Sequence, residues 1–293
     1  MRAIRIGTAC AVCYVAALLL AGCGVGGELT GAAPASAPGP VTVIVADVSG
    51  STLARRSEYV SDAMTAIVAT AELGGRVYLS TVDGLATDDS WQIADRGFDT
   101  TIGGANQELA RAARRVNAKR RLRPRVERLV HRRGRGGTDL LEMLTNVRRL
   151  LCTLPDKERR VVLITDGAVV AGGVNLYRSP PLTAAARTRL IAHLHRSGEI
   201  PPNLTCGVGS LVRVWLSELG AGIHRREVAI AVRRFFIEVV ESTGAIVVAE
   251  EPQLLKRSFL DSRLAVSAVV RATEPEGALS PIHTLPLKRR RVS

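Results

Sequence analysis

The chain has 293 residues, with 40 Lys and Arg against 27 Asp and Glu, for a formal net charge of +13. Hydrophobic residues make up 46% and aromatic residues only 3%, so any core must be aliphatic, as where Val, Ile and Leu fill a parallel sheet. No G-x-x-x-x-G-K-[ST] occurs, and the G-x-G-x-x-G at 22–27 falls in a Gly- and Ala-rich stretch rather than between a strand and a helix, so nothing supports a nucleotide-binding loop.

The N-terminus reads MRAIR, followed by an uncharged run from Ile6 to Gly27. A basic start, an apolar run and small residues behind it make an export signal over 1–22. The run contains Leu20-Ala21-Gly22-Cys23, which resembles the lipobox of bacterial lipoproteins. That resemblance implies cleavage before Cys23 and lipidation of its thiol, with the chain anchored on the outer side of the cytoplasmic membrane. The same run is also long enough for a single transmembrane helix, the alternative form of tether. Cys10 and Cys13 form a C-x-x-C, but both fall in the segment to be removed. Residues 23–40 are dominated by Gly, Ala, Pro and Ser, the composition of a flexible stalk.

From 41 to 272 the chain is long enough for one sizeable domain. VTVIVA (41–46) reads as a buried strand, and SEYVSDAMTAIVATAEL (57–73) as a helix. RVYLSTV (76–82) is a second strand, and SWQIAD (90–95) an edge strand. A polar, Arg-rich helical stretch, about 106–135 with its following loop, interrupts the pattern; Pro124 should break or kink it. The glycine loop Gly134-Arg135-Gly136-Gly137-Thr138-Asp139 leads into a helix over 140–152. RRVVLITDG (159–167) is the strongest apolar strand. Helix 183–197 precedes a strand expected at NLTCGVG (203–209), and helix 224–243 precedes one at AIVVA (245–249). This alternation predicts a Rossmann-like, mostly parallel sheet flanked by helices on both faces. Residues 273–293, ending KRRRVS, form a basic tail predicted to be disordered.

In such sheets ligands bind beyond the carboxyl ends of the strands. Asp47 follows the first strand directly, with Ser49 and Ser51 at alternate positions after it. Thr138 sits in the glycine loop, and Asp166 stands at the end of the 159–167 segment. Together they make an all-oxygen donor set. Such a set suits a hard divalent cation: Mg²⁺ foremost, with Mn²⁺ or Ca²⁺ also possible, whereas zinc would call for Cys or His. Ser and Asp after strands also serve as caps and turn formers, so each segment alone says little. In order and after strands, Asp47-x-Ser49-x-Ser51, the Thr138 of GGTD and the Asp166 of ITDG resemble the metal-ion-dependent adhesion site of the von Willebrand factor A family. The resemblance spans about 41–250. It implies that family's fold and a non-enzymatic binding module, in which a cation bridges to an Asp or Glu of a partner protein. The long Arg-rich segment departs from the family pattern.

Two other functions compete with this one. A phosphotransferase of the haloacid-dehalogenase type also places an Asp after its first strand, and would use Asp47 and Asp166. It needs a second acid where this chain has Ser49. The five histidines (131, 193, 195, 224 and 283) are scattered and supply no base in these loops. The other competitor is electrostatic: between Arg111 and Arg135 lie twelve basic residues against one acid, Glu127. That stripe suits an anionic lipid or envelope polymer. It has no aromatic side chain to stack a base, and export separates it from the genome, so nucleic acid is a poor partner. Cys152 and Cys206 are permitted to pair in an oxidising exterior. Because Cys206 falls inside a predicted strand, it is expected to pack as a small apolar group, unbonded.

Overall fold

The structure is a computed structural model that describes residues 39–82, 91, 93–95, 106–132, 139–154, 158–171, 174–176, 178–207, 210–251 and 259. The signal, Cys23, nearly all of the stalk, Thr138, Arg133, Arg135 and the basic tail lie outside the described residues. No helix among the described residues is long and apolar enough to cross a membrane.

Six strands form one sheet: β1 (Val41–Asp47), β2 (Arg76–Val82), β3 (Ile93–Asp95), β4 (Arg159–Ile164), β7 (Val212–Ser217) and β8 (Ile246–Glu251). Their order is β3-β2-β1-β4-β7-β8, and only the edge strand β3 runs antiparallel. Two short strands, β5 (Val170–Ala171) and β6 (Val174–Asn175), pair separately as a hairpin. The helices are α1 (Arg56–Glu72), α2 (Gln107–Val130), α3 (Leu140–Thr153), α4 (Ala184–Ser197) and α5 (Arg226–Ser242).

Every residue of β1 and β4 is buried, because both faces of the sheet are covered. Alternate side chains separate into two cores. Val43, Val45, Val161 and Leu163 face one core with α3, α4 and α5. Ile44, Ala46, Val162 and Ile164 face the other, with α1 and α2. The Arg-rich segment is therefore part of the sheet's covering layer. Ala110, Ala118, Leu122, Val126 and Val130 are its buried stripe.

Helix α2 continues through Pro124, contrary to the expected break. Pro124 lies on the exposed side, where water can satisfy the carbonyl that loses its partner.

The strand expected at 203–209 is not formed in the described part of that segment, 203–207. Its place in the sheet is taken by β7, several residues later, where LVRVWLS supplies the longer apolar run. The described part of 203–209 is irregular. Leu204 donates its N–H to the Thr243 carbonyl (3.0 Å), and Cys206 donates its N–H to the Ser210 hydroxyl (3.1 Å). This displacement also overturns the expectation of free thiols: Cys152 and Cys206 form a disulfide, with Cα atoms 5.1 Å apart. Cys206 is not a mid-strand residue; its loop crosses the end of α3, where Cys152 projects. Closing a loop of 54 residues lowers the entropy of the unfolded chain and stabilises the fold by roughly 4 kcal/mol.

Candidate functional site

The sheet order reverses between β1 and β4, which places the switch point between these two parallel neighbours. Asp47 is the last residue of β1, and Asp166 lies two residues beyond β4. Asp47 is fully buried and Asp166 is 4% exposed.

A net of short bonds fixes the loop after β1. The Ser49 N–H donates to Asp47 Oδ1 (2.9 Å), and the Thr165 hydroxyl donates to Asp47 Oδ2 (2.9 Å). Thr52 donates its hydroxyl to the carbonyls of Asp47 and Ser49, both at 3.0 Å. The chain then tightens into a 3₁₀ turn over Gly50–Arg55. This turn puts Ser49 Oγ 3.0 Å from Ser51 Oγ. Ser51 is exposed, whereas Ser49 is nearly buried. Four of the five sequence-predicted donors, Asp47, Ser49, Ser51 and Asp166, are thus gathered at one sheet edge. Thr138 lies outside the described residues. The next residue, Asp139, caps α3 by accepting the Glu142 N–H at 2.9 Å.

The loop after β4 is equally constrained. Asp166 Oδ1 accepts the Ala168 N–H (2.9 Å), and Gly167 donates its N–H to the Thr165 hydroxyl (2.9 Å). Gly167 has φ +77°, and a Cβ there would lie 2.6 Å from Val232 Cγ1. Glycine is required on both counts.

Burial first, and the neighbouring Asp47 carboxylate second, push Asp166 up to about 6. Hydrogen bonds from the Ala168 N–H and the Ser51 hydroxyl pull the other way. Two buried carboxylates that destabilise each other's charge form a site that a cation would relieve. The donor chemistry fits a hard divalent ion, because all the donors are oxygen. Among the described residues no group of three or more His, Cys, Asp and Glu side chains is placed to hold a metal. The set depends on hydroxyls to complete two carboxylates.

Three participants were missed in the sequence. Arg56, 3% exposed, donates to the Val48 carbonyl (2.6 Å) and to the Arg132 carbonyl. Its burial lowers its pKa, and attraction to Asp47 opposes that. Tyr59 is fully buried on α1; burial, then Asp166, Asp47 and Glu218, push its phenol up, so it stays neutral. Glu218, just past β7, is buried and pairs with Arg55 at 2.5 Å. All three lie at a helix start or a strand end beside other polar residues, where the sequence gives no sign of which polar side chain turns inward.

No protein-family model matches the chain, and no curated protein matches it. Among solved structures it is similar to the pilus adhesin SpaC from Lactobacillus rhamnosus GG in its open conformation, at 14% identity and a TM-score of 0.41. It is also similar to a point mutant of the PilB minor pilin from Streptococcus sanguinis, at 14% identity and a TM-score of 0.40. Each match covers 80% of this chain, but only 30% of the adhesin and 61% of the pilin.

Proposed function

We propose that the chain is a metal-dependent protein-binding module of the von Willebrand factor A type, held outside a bacterial membrane through Cys23. The observation that carries this reading is the juxtaposition of Asp47 and Asp166 across the sheet's switch point, with Ser49 and Ser51 beside them. Asp47, Ser49, Ser51, Thr138 and Asp166 would hold a divalent cation, Mg²⁺ foremost. When bound, the ion supplies an acceptor for one further oxygen, that of a partner's Asp or Glu. The chain's own residues preorganise that acceptor. Ser49 N–H and Thr165 Oγ1 fix the Asp47 carboxylate, and Ala168 N–H fixes that of Asp166. No histidine lies in the three loops, so the reading is one of binding, not hydrolysis. The Cys152–Cys206 disulfide supports an oxidising location.

Titration calorimetry with Mg²⁺, Mn²⁺ and Ca²⁺ tests the site. Saturable heat with at least one ion is expected, lost in Asp166→Ala and in the paired change Ser49→Ala with Ser51→Ala, while circular dichroism stays native. No heat from any of the three ions would defeat the proposal.

A further inference from the structure

Running back from the carboxyl edge, α1 and α2 leave a groove of about 360 Å³ between them. Its walls follow helical periodicity. On α1, Val60, Met64 and Val68 form an apolar floor at four-residue spacing, each keeping 6–8% exposure. Ser57, Ser61 and Thr65, at the same spacing, make a hydroxyl rail beside it. On α2, Arg115, Lys119 and Arg123 make a facing cationic rail. Residues four apart share a helix face about 6 Å apart, so each set is a continuous line.

We infer that this groove binds one anionic phospholipid, its acyl chain on the Val60–Met64–Val68 floor and its phosphate on the rail of Arg115, Lys119 and Arg123. The chemistry of the walls selects the occupant. From Ser57 to Val68 the apolar line runs about 16 Å beside the cationic one, which suits a molecule with an apolar chain and an anionic head. An extended peptide fits poorly, because its backbone amides would lie unsatisfied on an apolar floor. Polymethylene has no such groups, and Met64 supplies a pliable contact for it.

The charge is complementary as well. Arg115 is engaged with the buried Glu72 (2.9 Å) and Arg123 with Glu127 (2.9 Å), which leaves Lys119 at the centre as the main anion contact. Arg111, Arg120 and Arg128 are exposed on the same helix, so an anionic surface would meet further cations around the groove. Helix α2 has its own apolar stripe buried in the fold and cannot insert into a bilayer as an amphipathic helix does. The groove instead lets a lipid come to the protein.

The test uses the full chain in neutral detergent with EDTA, so that metal-dependent binding is silent. The probe is phosphatidylglycerol carrying a diazirine on its acyl chain, and crosslinks are mapped by mass spectrometry. Labelling should concentrate on residues 57–68, and unlabelled phosphatidylglycerol should compete at least tenfold better than phosphatidylcholine. Lys119→Glu with Arg123→Glu should cut labelling about tenfold or more, as should Ser61→Trp, which fills the groove. Both sets change exposed side chains and spare the Arg115–Glu72 pair; loss of the exposed Arg123–Glu127 pair costs little, so a melting temperature lowered by no more than about 2 °C is expected. The inference fails if labelling of 57–68 is no stronger than elsewhere or survives both sets of changes. Equal competition by phosphatidylcholine would also defeat it. Displacement of the probe by inorganic phosphate would show that the floor is unused, and displacement by soluble polyglutamate would make the groove a polyanion site. Either result overturns the lipid assignment.

Discussion

Two buried carboxylate neighbourhoods sit at the same edge of the sheet and solve one electrostatic problem in different ways. Asp47 and Asp166 are held by hydroxyls and backbone N–H groups, with Arg56 bracing the loop beside Asp47. Asp62 and Glu218 are served by the chain itself: Ser217 donates to Asp62, and Arg55 pairs with Glu218. Burial raises the pKa in both places, Asp166 to about 6 and Glu218 to about 7. A backbone bond joins the two. Glu218 takes a left-handed conformation (φ +67°), a cost of about 1–3 kcal/mol for a non-glycine residue. That turn lets the Gly220 N–H reach the Asp166 carbonyl at 2.9 Å. One neighbourhood carries its own cation, Arg55, and under the proposed function the other would present its oxygens to an external one.

The largest expected effect breaks the comparison on the metal side. Mg²⁺ at about 100 times its Kd should stabilise the chain by about 2.7 kcal/mol. For a domain of this size that is a rise of roughly 5–10 °C in Tm. Asp166→Asn should abolish the rise. In EDTA the same change should leave Tm unchanged or raised, because it removes the repulsion from Asp47. Arg55→Ala should keep the Mg²⁺ response intact. Thermal unfolding of the three proteins with Mg²⁺ or EDTA decides the matter, and an Mg²⁺ response that survives in Asp166→Asn would sink the assignment.

A smaller effect is expected on the other side. Arg55→Ala removes the cation from a Glu218 that is 1% exposed. Breaking a buried pair costs about 3–5 kcal/mol, but Arg55 is 37% exposed, so about 2 kcal/mol is expected. Adding Glu218→Gln to Arg55→Ala should recover most of that loss. Denaturant unfolding of the double-mutant cycle measures it, and strictly additive losses would mean that Arg55 acts through packing alone.

The unequal visibility of these neighbourhoods in the sequence has a physical cause. Asp47, Ser49, Ser51 and Asp166 were legible because each follows a strong apolar strand, and strand ends of a parallel sheet meet at one edge. Arg55, Arg56 and Glu218 were not, because inward rotation of a charged residue depends on partners far away in the chain. The helices were found within a few residues, their periodicity being strong. The strand at 212–217 was missed because NLTCGVG offers a competing short apolar run, and with it went the disulfide. A one-loop error in placing Cys206 reversed the expectation for its thiol.

The smallest effect is one of pH, and it sharpens the comparison from the Glu218 side. Burial raises Glu218 from an ordinary 4.5 to about 7, against the opposing pull of Arg55. Between those values the unfolded chain has released the proton and the folded chain retains it. Folding therefore takes up a proton there, and stability falls as pH rises through the window. Below about 4.5 and above about 7 the contribution is level. Asp166 acts with the same sign from 3.8 to about 6, so the raw curve mixes the two groups. The informative quantity is the difference in Tm between wild type and Glu218→Gln, taken in EDTA at each pH. It should move against the wild type as pH rises from about 4.5 to 7 and then level off. A flat difference would mean that Arg55 fully offsets burial, and a difference moving in the wild type's favour would mean that Glu218 is ionised in the fold. In both cases the second neighbourhood would be an ordinary ion pair, and the contrast with Asp166 would rest on the metal alone.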